Sequence, residues 1–360
     1  MATIRHQAAR AAFGAAADVT LKYLNKDPEN REKSLLKIVD LTESFAKDRF
    51  KPESYEAARA MIRDKDSKWM QYVNRIFDEV SPNVIKTTAM NLGFEAMLSG
   101  TKIMHEMREK YQCNIPWLLL IDPTSACNLH CTGCWAAEYG HTMSLTYDEL
   151  DSIITQGKEL GIYLYMYTGG EPLVRKADII KLCEKHNDCA FHAFTNGTLV
   201  DDAFCEEMDR VGNLSLSISL EGYEEVNDGR RGQGVFDKVM KAMDTLKAHG
   251  QIFGTSICYT RANIDTVTSD EFLDMIINKG CRYAWYFHYM PVGNDAAVEL
   301  LPTKEQREYM YHRIREIRGK EGGKQIFAFD FQNDGEFVGG CIAGGRNYCH
   351  INPNGDVEPC

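Results

Sequence analysis

From residue 117 onward the sequence alternates short apolar runs with amphipathic stretches, and this alternation constrains the fold of the 360-residue chain more than any other feature. The apolar runs are Trp117–Ile121, Tyr163–Tyr167, Ala190–Phe194, Leu214–Leu220, Gly254–Tyr259, Tyr283–Tyr289 and Ile326–Phe331. They are too short for buried helices and read as strands. Between them lie Tyr147–Leu160, Lys176–His186, Asp201–Val211, Val235–His249, Asp270–Lys279 and Thr303–Ile317, all with helical periodicity. Strand, helix, strand at this spacing calls for a parallel sheet with right-handed crossovers. The expected class is α/β: a partial (β/α)6 TIM-like barrel, with ligands at the carboxyl ends of its strands.

Residues 1–112 read as all-helical, with candidate helices Ile4–Leu24, Arg31–Asp48, Ser54–Ile62, Lys68–Val80 and Ile85–Tyr111. Breaks fall at Asp27-Pro28, Lys51-Pro52 and Ser81-Pro82, where proline ends a helical pattern. Within this region Asn83–Ile103 is apolar with few charges. The plain reading is a helix packed on the body of the protein. The sharper one is an amphipathic element in peripheral contact with a membrane or a greasy substrate. The expected division is a helical region over 1–112, a core domain over 113–335 and a short Cys-containing segment over 336–360.

Composition narrows the function. Hydrophobic residues make up 44% and charged residues 26%, ordinary for a globular protein. The net charge is −11 and no long basic run occurs, which argues against nucleic acid as a partner. Twelve cysteines without a recognisable secretory leader point to a reducing, cytoplasmic setting and to metal chemistry rather than disulfides. No apolar stretch is long enough to suggest a transmembrane helix.

The chemistry is concentrated after the first strand. Cys127, Cys131 and Cys134 stand together in the run from Asp122 to Trp135. Three thiolates on one short loop can hold three irons of a [4Fe–4S] cluster and leave the fourth open. A structural zinc site ordinarily takes four ligands, often as separated C-x2-C pairs, and a ferredoxin cluster takes a fourth Cys nearby. Here the next cysteine is Cys183. A zinc module or an iron–sulfur electron carrier is the non-enzymatic alternative.

The spacing C-x3-C-x2-C after a first strand resembles the signature of the radical S-adenosylmethionine (radical SAM) superfamily. The resemblance covers roughly residues 117 to 360. It implies that the open iron binds SAM, that the reduced cluster cleaves it, and that the resulting 5′-deoxyadenosyl radical abstracts hydrogen from a substrate C–H bond. Many relatives carry an aromatic residue just before the third Cys, whereas this chain has Gly133 there. Later strand ends carry further resemblances. Thr168-Gly169-Gly170-Glu171-Pro172 looks like the family's GGEP motif, whose acid and carbonyls are expected to face the SAM ammonium group. Thr195-Asn196-Gly197-Thr198 looks like its TNG turn. The segment Ser217 to Gly222, followed by Asp228-Gly229-Arg230-Arg231, resembles the region holding the ribose and the methionyl carboxylate. The residues implied at SAM are Gly169, Gly170, Glu171, Pro172, Asn196, Ser219, Glu221 and Arg231, with Asn227 where many relatives have His. Cys258-Tyr259-Thr260 and Met290-Pro291-Val292-Gly293 resemble weaker positions near adenine and substrate. Cys258 and Cys281 read as core cysteines.

Near the end of the sequence, Ile351-Asn-Pro-Asn-Gly-Asp-Val-Glu-Pro-Cys360 reads as a tight turn between two short strands. It resembles the opening of a SPASM or twitch domain, which implies Cys341 and Cys360 as ligands of an auxiliary [4Fe–4S] cluster, in a truncated form. The implied function is a radical SAM enzyme that modifies a peptide or protein, fed electrons by a flavodoxin or ferredoxin. A lipid-like or other small molecule is the alternative substrate.

Overall fold

The computed structural model describes residues 4–26, 30–46, 51–136, 140–292, 296–319 and 323–360. The Asp27-Pro28 break, the end of the helix expected over 31–48, and Gly293 lie outside the described residues. The described N-terminal region is helical: α1 (Ile4–Lys26), α2 (Arg31–Ala46), α3 (Pro52–Arg63), α4 (Lys68–Glu79), α5 (Pro82–Thr88), a π-helix (Ala89–Ser99) and α6 (Gly100–Tyr111). The barrel follows: β1 (Leu118–Ile121), α7 (Tyr147–Glu159), β2 (Leu164–Tyr167), α8 (Lys176–Lys185), β3 (Ala190–Thr195), α9 (Asp202–Val211), β4 (Leu214–Ser219), α10 (Glu224–Arg231), α11 (Val235–Ala248) and β5 (Phe253–Tyr259). It continues through α12 (Ile264–Val267), α13 (Asp270–Asn278), β6 (Tyr283–His288), α14 (Lys304–Arg318), β7 (Phe327–Asp330), α15 (Gly335–Val338), β8 (Tyr348–Ile351) and β9 (Val357–Glu358).

The strands form one sheet in the order β7-β6-β5-β4-β3-β2-β1-β8-β9, parallel throughout except for β9. The α/β class and the seven expected strands are as the alternation predicts. One element lengthens the sheet: β8 pairs in parallel with β1, Leu118 opposite Tyr348 and Ile121 opposite Ile351. The C-terminal hairpin is thus joined to the barrel sheet. Its edge meets the far side through side chains, with the Phe331 and Tyr348 rings 6.3 Å apart.

Alternation along each strand separates two faces. Tyr165, Tyr167, Phe191, Leu216, Ile218, Ile257 and Tyr286 point outward to the helices and are fully or almost fully buried. Tyr165 Oη donates to the Ile154 carbonyl of α7 at 2.9 Å. Helix starts are set by local chemistry: Thr146 with Glu149, and Thr303 with Gln306, form reciprocal capping boxes at α7 and α14.

The segment 83–103 packs on the foot of the barrel. Trp117 Nε1 donates to the Ala96 carbonyl at 3.2 Å, and a Cβ on Gly100 would lie 2.4 Å from the Gly161 carbonyl. The expected single helix is interrupted by the π-helix, which buries Asn91 and Glu95. Glu95 accepts from Arg10 Nη1 at 2.6 Å, and Asn91 Nδ2 donates to the Cys189 carbonyl at 2.8 Å. Among the described residues no helix is long and apolar enough to cross a membrane.

Candidate active site at the strand ends

The cysteine loop leaves the end of β1 and is held from below by backbone. Cys127, Cys131 and Cys134 are all half-buried. Leu129 N donates to Cys127 Sγ at 3.4 Å, and Thr132 N donates to the Arg230 carbonyl at 2.9 Å. Burial pushes the Cys127 and Cys131 thiols up, and at Cys131 the nearby Arg231 guanidinium works against it. Arg231 Nη1 lies 3.9 Å from Cys131 Sγ. Among the described residues no three His, Cys, Asp or Glu side chains converge on a single ion. A cubane cluster needs one thiolate per iron instead of a shared centre, so this donor set suits it.

Gly133 sits at φ +65°, and a Cβ there would lie 2.6 Å from Tyr289 Oη. Only glycine fits. The aromatic group that the loop lacks at this position is supplied from the end of β6: Tyr289 is 2% exposed, and its hydroxyl accepts from Ala297 N at 2.9 Å. Sequence reasoning passed over Tyr289. The signal available was the glycine itself, a small residue where bulk was expected.

The Gly169–Pro172 turn presses on the same loop. A Cβ on Gly170 would lie 2.3 Å from the Ala126 carbonyl, and Gly169 has φ +97° with the Thr124 carbonyl 2.6 Å from its Cβ position. Gly170 N and Glu171 N donate to the Thr124 and Ala126 carbonyls at 3.0 and 2.8 Å. The Glu171 side chain is turned into the protein. It is 1% exposed and accepts three hydrogen bonds: from Thr195 Oγ1 at 2.6 Å, Leu173 N at 2.9 Å and Asn196 N at 2.7 Å. Burial raises its pKa, and those bonds offset part of the rise. The carboxylate ties the turn after β3 to the turn after β2. Pro172 is buried and opens the 3-10 turn Pro172–Arg175. Asn196, 6% exposed, donates through Nδ2 to Asn128 Oδ1 at 2.8 Å, next to Cys127.

At the end of β4 the structure gathers a buried charge cluster. Arg230 and Arg231 are in the last turn of α10. Glu221 is fully buried, and its Oε1 accepts from Arg230 Nη1 at 2.6 Å, Arg231 Nη2 at 2.5 Å and Arg231 Nε at 2.9 Å. Its Oε2 is buried with no hydrogen-bond partner. Asn227, also fully buried, accepts from Glu221 N at 3.1 Å through Oδ1 and fixes that carboxylate's backbone. Ser219 is half-buried at the end of β4, opposite Ser256. Cys281 is buried, as expected; Cys258 is not a core residue, and lies half-buried near Arg230, its thiol pushed up to about 11 chiefly by burial.

The C-terminal cysteines sit apart from this mouth. Cys341 and Cys360 are exposed and Cys349 is half-buried; Cys360 Sγ lies 2.9 Å from Tyr348 Oη. The hairpin reaches the site through His350, whose Nε2 is 2.9 Å from Asp122 Oδ2 and whose Nδ1 is 3.0 Å from Glu358 Oε2. Burial alone would lower the His350 pKa; the two carboxylates outweigh it and raise it. Asp122, just past β1, also accepts from Thr168 Oγ1 at 2.5 Å.

A parallel barrel with a three-cysteine loop after its first strand, glycine turns against that loop and a half-buried arginine pair beside it defines an iron–sulfur enzyme of the SAM-cleaving type. The family description "Radical SAM superfamily" matches residues 121–277 of this chain. Its cofactors are a [4Fe–4S] cluster and SAM. The AdoMet-dependent heme synthase of Oleidesulfovibrio alaskensis is 27% identical over 273 residues, covering 68% of this chain and 69% of the relative. The mycofactocin maturase MftC of Mycolicibacterium smegmatis is 28% identical over 260 residues, covering 68% and 64%. In fold the chain matches Streptococcus suis SuiB, solved with its precursor peptide SuiA, at a TM-score of 0.59 and 19% identity, covering 73% of this chain and 64% of that one. The chain therefore spans less than two thirds of the maturase and of SuiB.

Proposed function

We propose that the chain is a peptide-modifying radical SAM enzyme whose catalytic cluster is held by Cys127, Cys131 and Cys134. The observation that carries this is the convergence on one barrel mouth of those thiols and the Glu221–Arg230–Arg231 cluster, with a guanidinium 3.9 Å from a cysteine sulfur. When bound, the cluster and SAM supply a carbon radical able to take hydrogen from an unreactive C–H bond. The protein does the rest. Arg231, whose Nε and Nη2 are held by Glu221 and whose Nη1 is turned to the cysteine loop, is the group for the methionyl carboxylate. The backbone of Gly169 and Gly170 offers the surface for the ammonium group. Ser219 and the free Oε2 of Glu221 are acceptors for the ribose. Glu171 and Asn196 hold these turns in register, and buried walls keep water from the radical.

We divide the chain at residues 112 and 335, with Cys341 and Cys360 as donors for an auxiliary cluster. A flavodoxin- or ferredoxin-type donor supplies the electron in a reducing cytoplasm. A second substrate reading, a small molecule such as a tetrapyrrole, is favoured by the relatives named heme synthases. The lipid reading loses its motive, since the apolar segment 83–103 packs on the barrel foot. Anaerobic reconstitution followed by dithionite and SAM should yield 5′-deoxyadenosine, and Cys127→Ala should abolish it. Reconstituted protein that carries iron yet leaves SAM intact would overturn the proposal.

A further inference from the structure

The lumen of the barrel differs from its outer face in what it leaves uncovered. Below Glu221, the inward positions of strands β2 to β7 carry aromatic rings, serines, His192 and Cys258, and no charged side chain among the described residues. The foot is plugged. His192 is hydrogen-bonded to Ser215 Oγ at 2.8 Å and Ser217 Oγ at 2.9 Å, and Tyr283 lies over Gly254, where a Cβ would be 2.3 Å from its ring.

Above that plug stands a wall of rings. Phe194 and Trp285 are 5.9 Å apart, Trp285 and Phe329 stack at 4.4 Å, and Phe287 and Phe331 lie 5.2 Å apart. These five residues are all half-buried, whereas Ala284, Tyr286 and Ala328 on the outer faces of the same strands are 0% exposed. Rings that merely filled a core would be covered as those are. A free apolar surface with no charged side chain beside it on these strands favours a planar apolar guest, through area removed from water and ring stacking. A charged guest would lose its hydration with only hydroxyls and a thiol in return.

We propose that the lumen wall of Phe194, Trp285, Phe287, Phe329 and Phe331 is the substrate site, and that the group presented to the radical is the aromatic side chain of a peptide. This rests on the radical SAM reading above and names the substrate class for it. The cofactor groups lie at the ends of β1–β4, and Trp285, Phe287, Phe329 and Phe331 lie on or just past β6 and β7 with Phe194 facing them from β3, so a guest against the wall lies beside the cofactor groups.

The full chain, reconstituted and saturated with SAM, is titrated calorimetrically with the tetrapeptides Gly-Gly-Tyr-Gly, Gly-Gly-Leu-Gly and Gly-Gly-Glu-Gly, and with mesoporphyrin. The tyrosyl peptide should bind at least about tenfold tighter than the glutamyl one, with the leucyl peptide between. Trp285→Leu should weaken the tyrosyl peptide about tenfold while leaving the melting temperature and the iron content in place. Phe287→Leu carries the same test should the first variant fail to fold. Equal binding of the tyrosyl and glutamyl peptides, or binding indifferent to both substitutions, overturns the site. Tight binding of mesoporphyrin alone overturns the peptide and assigns the wall to a free planar ring. Absence of 5′-deoxyadenosine from the unsubstituted protein would count against the proposed activity, and the binding data would still decide the lumen.

Discussion

The two halves of the barrel sheet are built on opposite principles. Strands β1 to β4 end in turns crowded with charge and glycine: Asp122, Gly169, Gly170, Glu171 and Glu221, the last clamped by Arg230 and Arg231. Strands β6 and β7 turn rings inward and no charge. The first half holds its geometry by buried polar bonds that fail if one partner is removed. The second holds a surface, and a surface tolerates change of shape. A cofactor common to many enzymes is thus met by a rigid constellation, and a particular substrate by a replaceable lining.

The largest effect that tests this contrast is on Glu221. Glu221→Gln leaves two half-buried guanidiniums without a counter-charge; breaking a fully buried pair costs about 3–5 kcal/mol, and this partly exposed one about 2–3 kcal/mol. Urea unfolding should show a loss of that order; a loss under about 1 kcal/mol would place the cluster in water, contrary to its burial. Next comes Gly133→Ala, which puts a side chain at positive φ against Tyr289. Strain of that kind costs about 1–3 kcal/mol. Much of the steric part should return in the double variant with Tyr289→Ala, read as a non-additive melting shift together with recovered iron loading. Third, His192 is buried and its pKa is pushed from 6.5 down to about 3 by burial. The unfolded chain takes up this proton as pH falls through 6.5, while the folded chain refuses it, so stability is lost on acidification across that window. From pH 7 to 5 the loss assigned to this residue is at most about 2 kcal/mol, and His192→Gln should flatten it in urea titrations at the two pH values. The smallest effect is expected at Phe287→Leu: a half-buried ring exchanged for another apolar group should shift stability by less than about 1.5 kcal/mol. A larger loss would make the wall a packed core instead of a lining.

The cofactor half was legible because its chemistry is local. Cys127, Cys131 and Cys134, and Gly169 to Pro172, are short runs whose spacing survives any detail of packing. The strands were legible because each apolar run is short and bounded by an amphipathic helix. What stayed hidden depends on contacts between distant parts of the chain. Tyr289 reaches Gly133 from across the sheet, and nothing in the neighbourhood of Tyr289 marks it. Glu171 sits in a recognisable motif, yet the direction of its carboxylate is decided by Thr195 and Asn196 on the next strand. Cys258 reads as core by residue type, and only strand parity turns it inward. The π-helix follows from Asn91 and Glu95 meeting Arg10 and the Cys189 carbonyl, contacts that helical periodicity does not encode.

The pairing of β8 with β1 has a consequence for how this protein can be handled. Leu118 to Ile121 are four apolar residues in a row, and Tyr348 to Ile351 lie along their outer side. Cut away from residue 335 onward, β1 would become a bare sheet margin of leucine and isoleucine with open N–H and C=O groups, a template for strand addition by a neighbouring molecule. The C-terminal hairpin is therefore a guard against aggregation as well as a carrier of cysteines, and a shortened version made to isolate the barrel should precipitate for want of it.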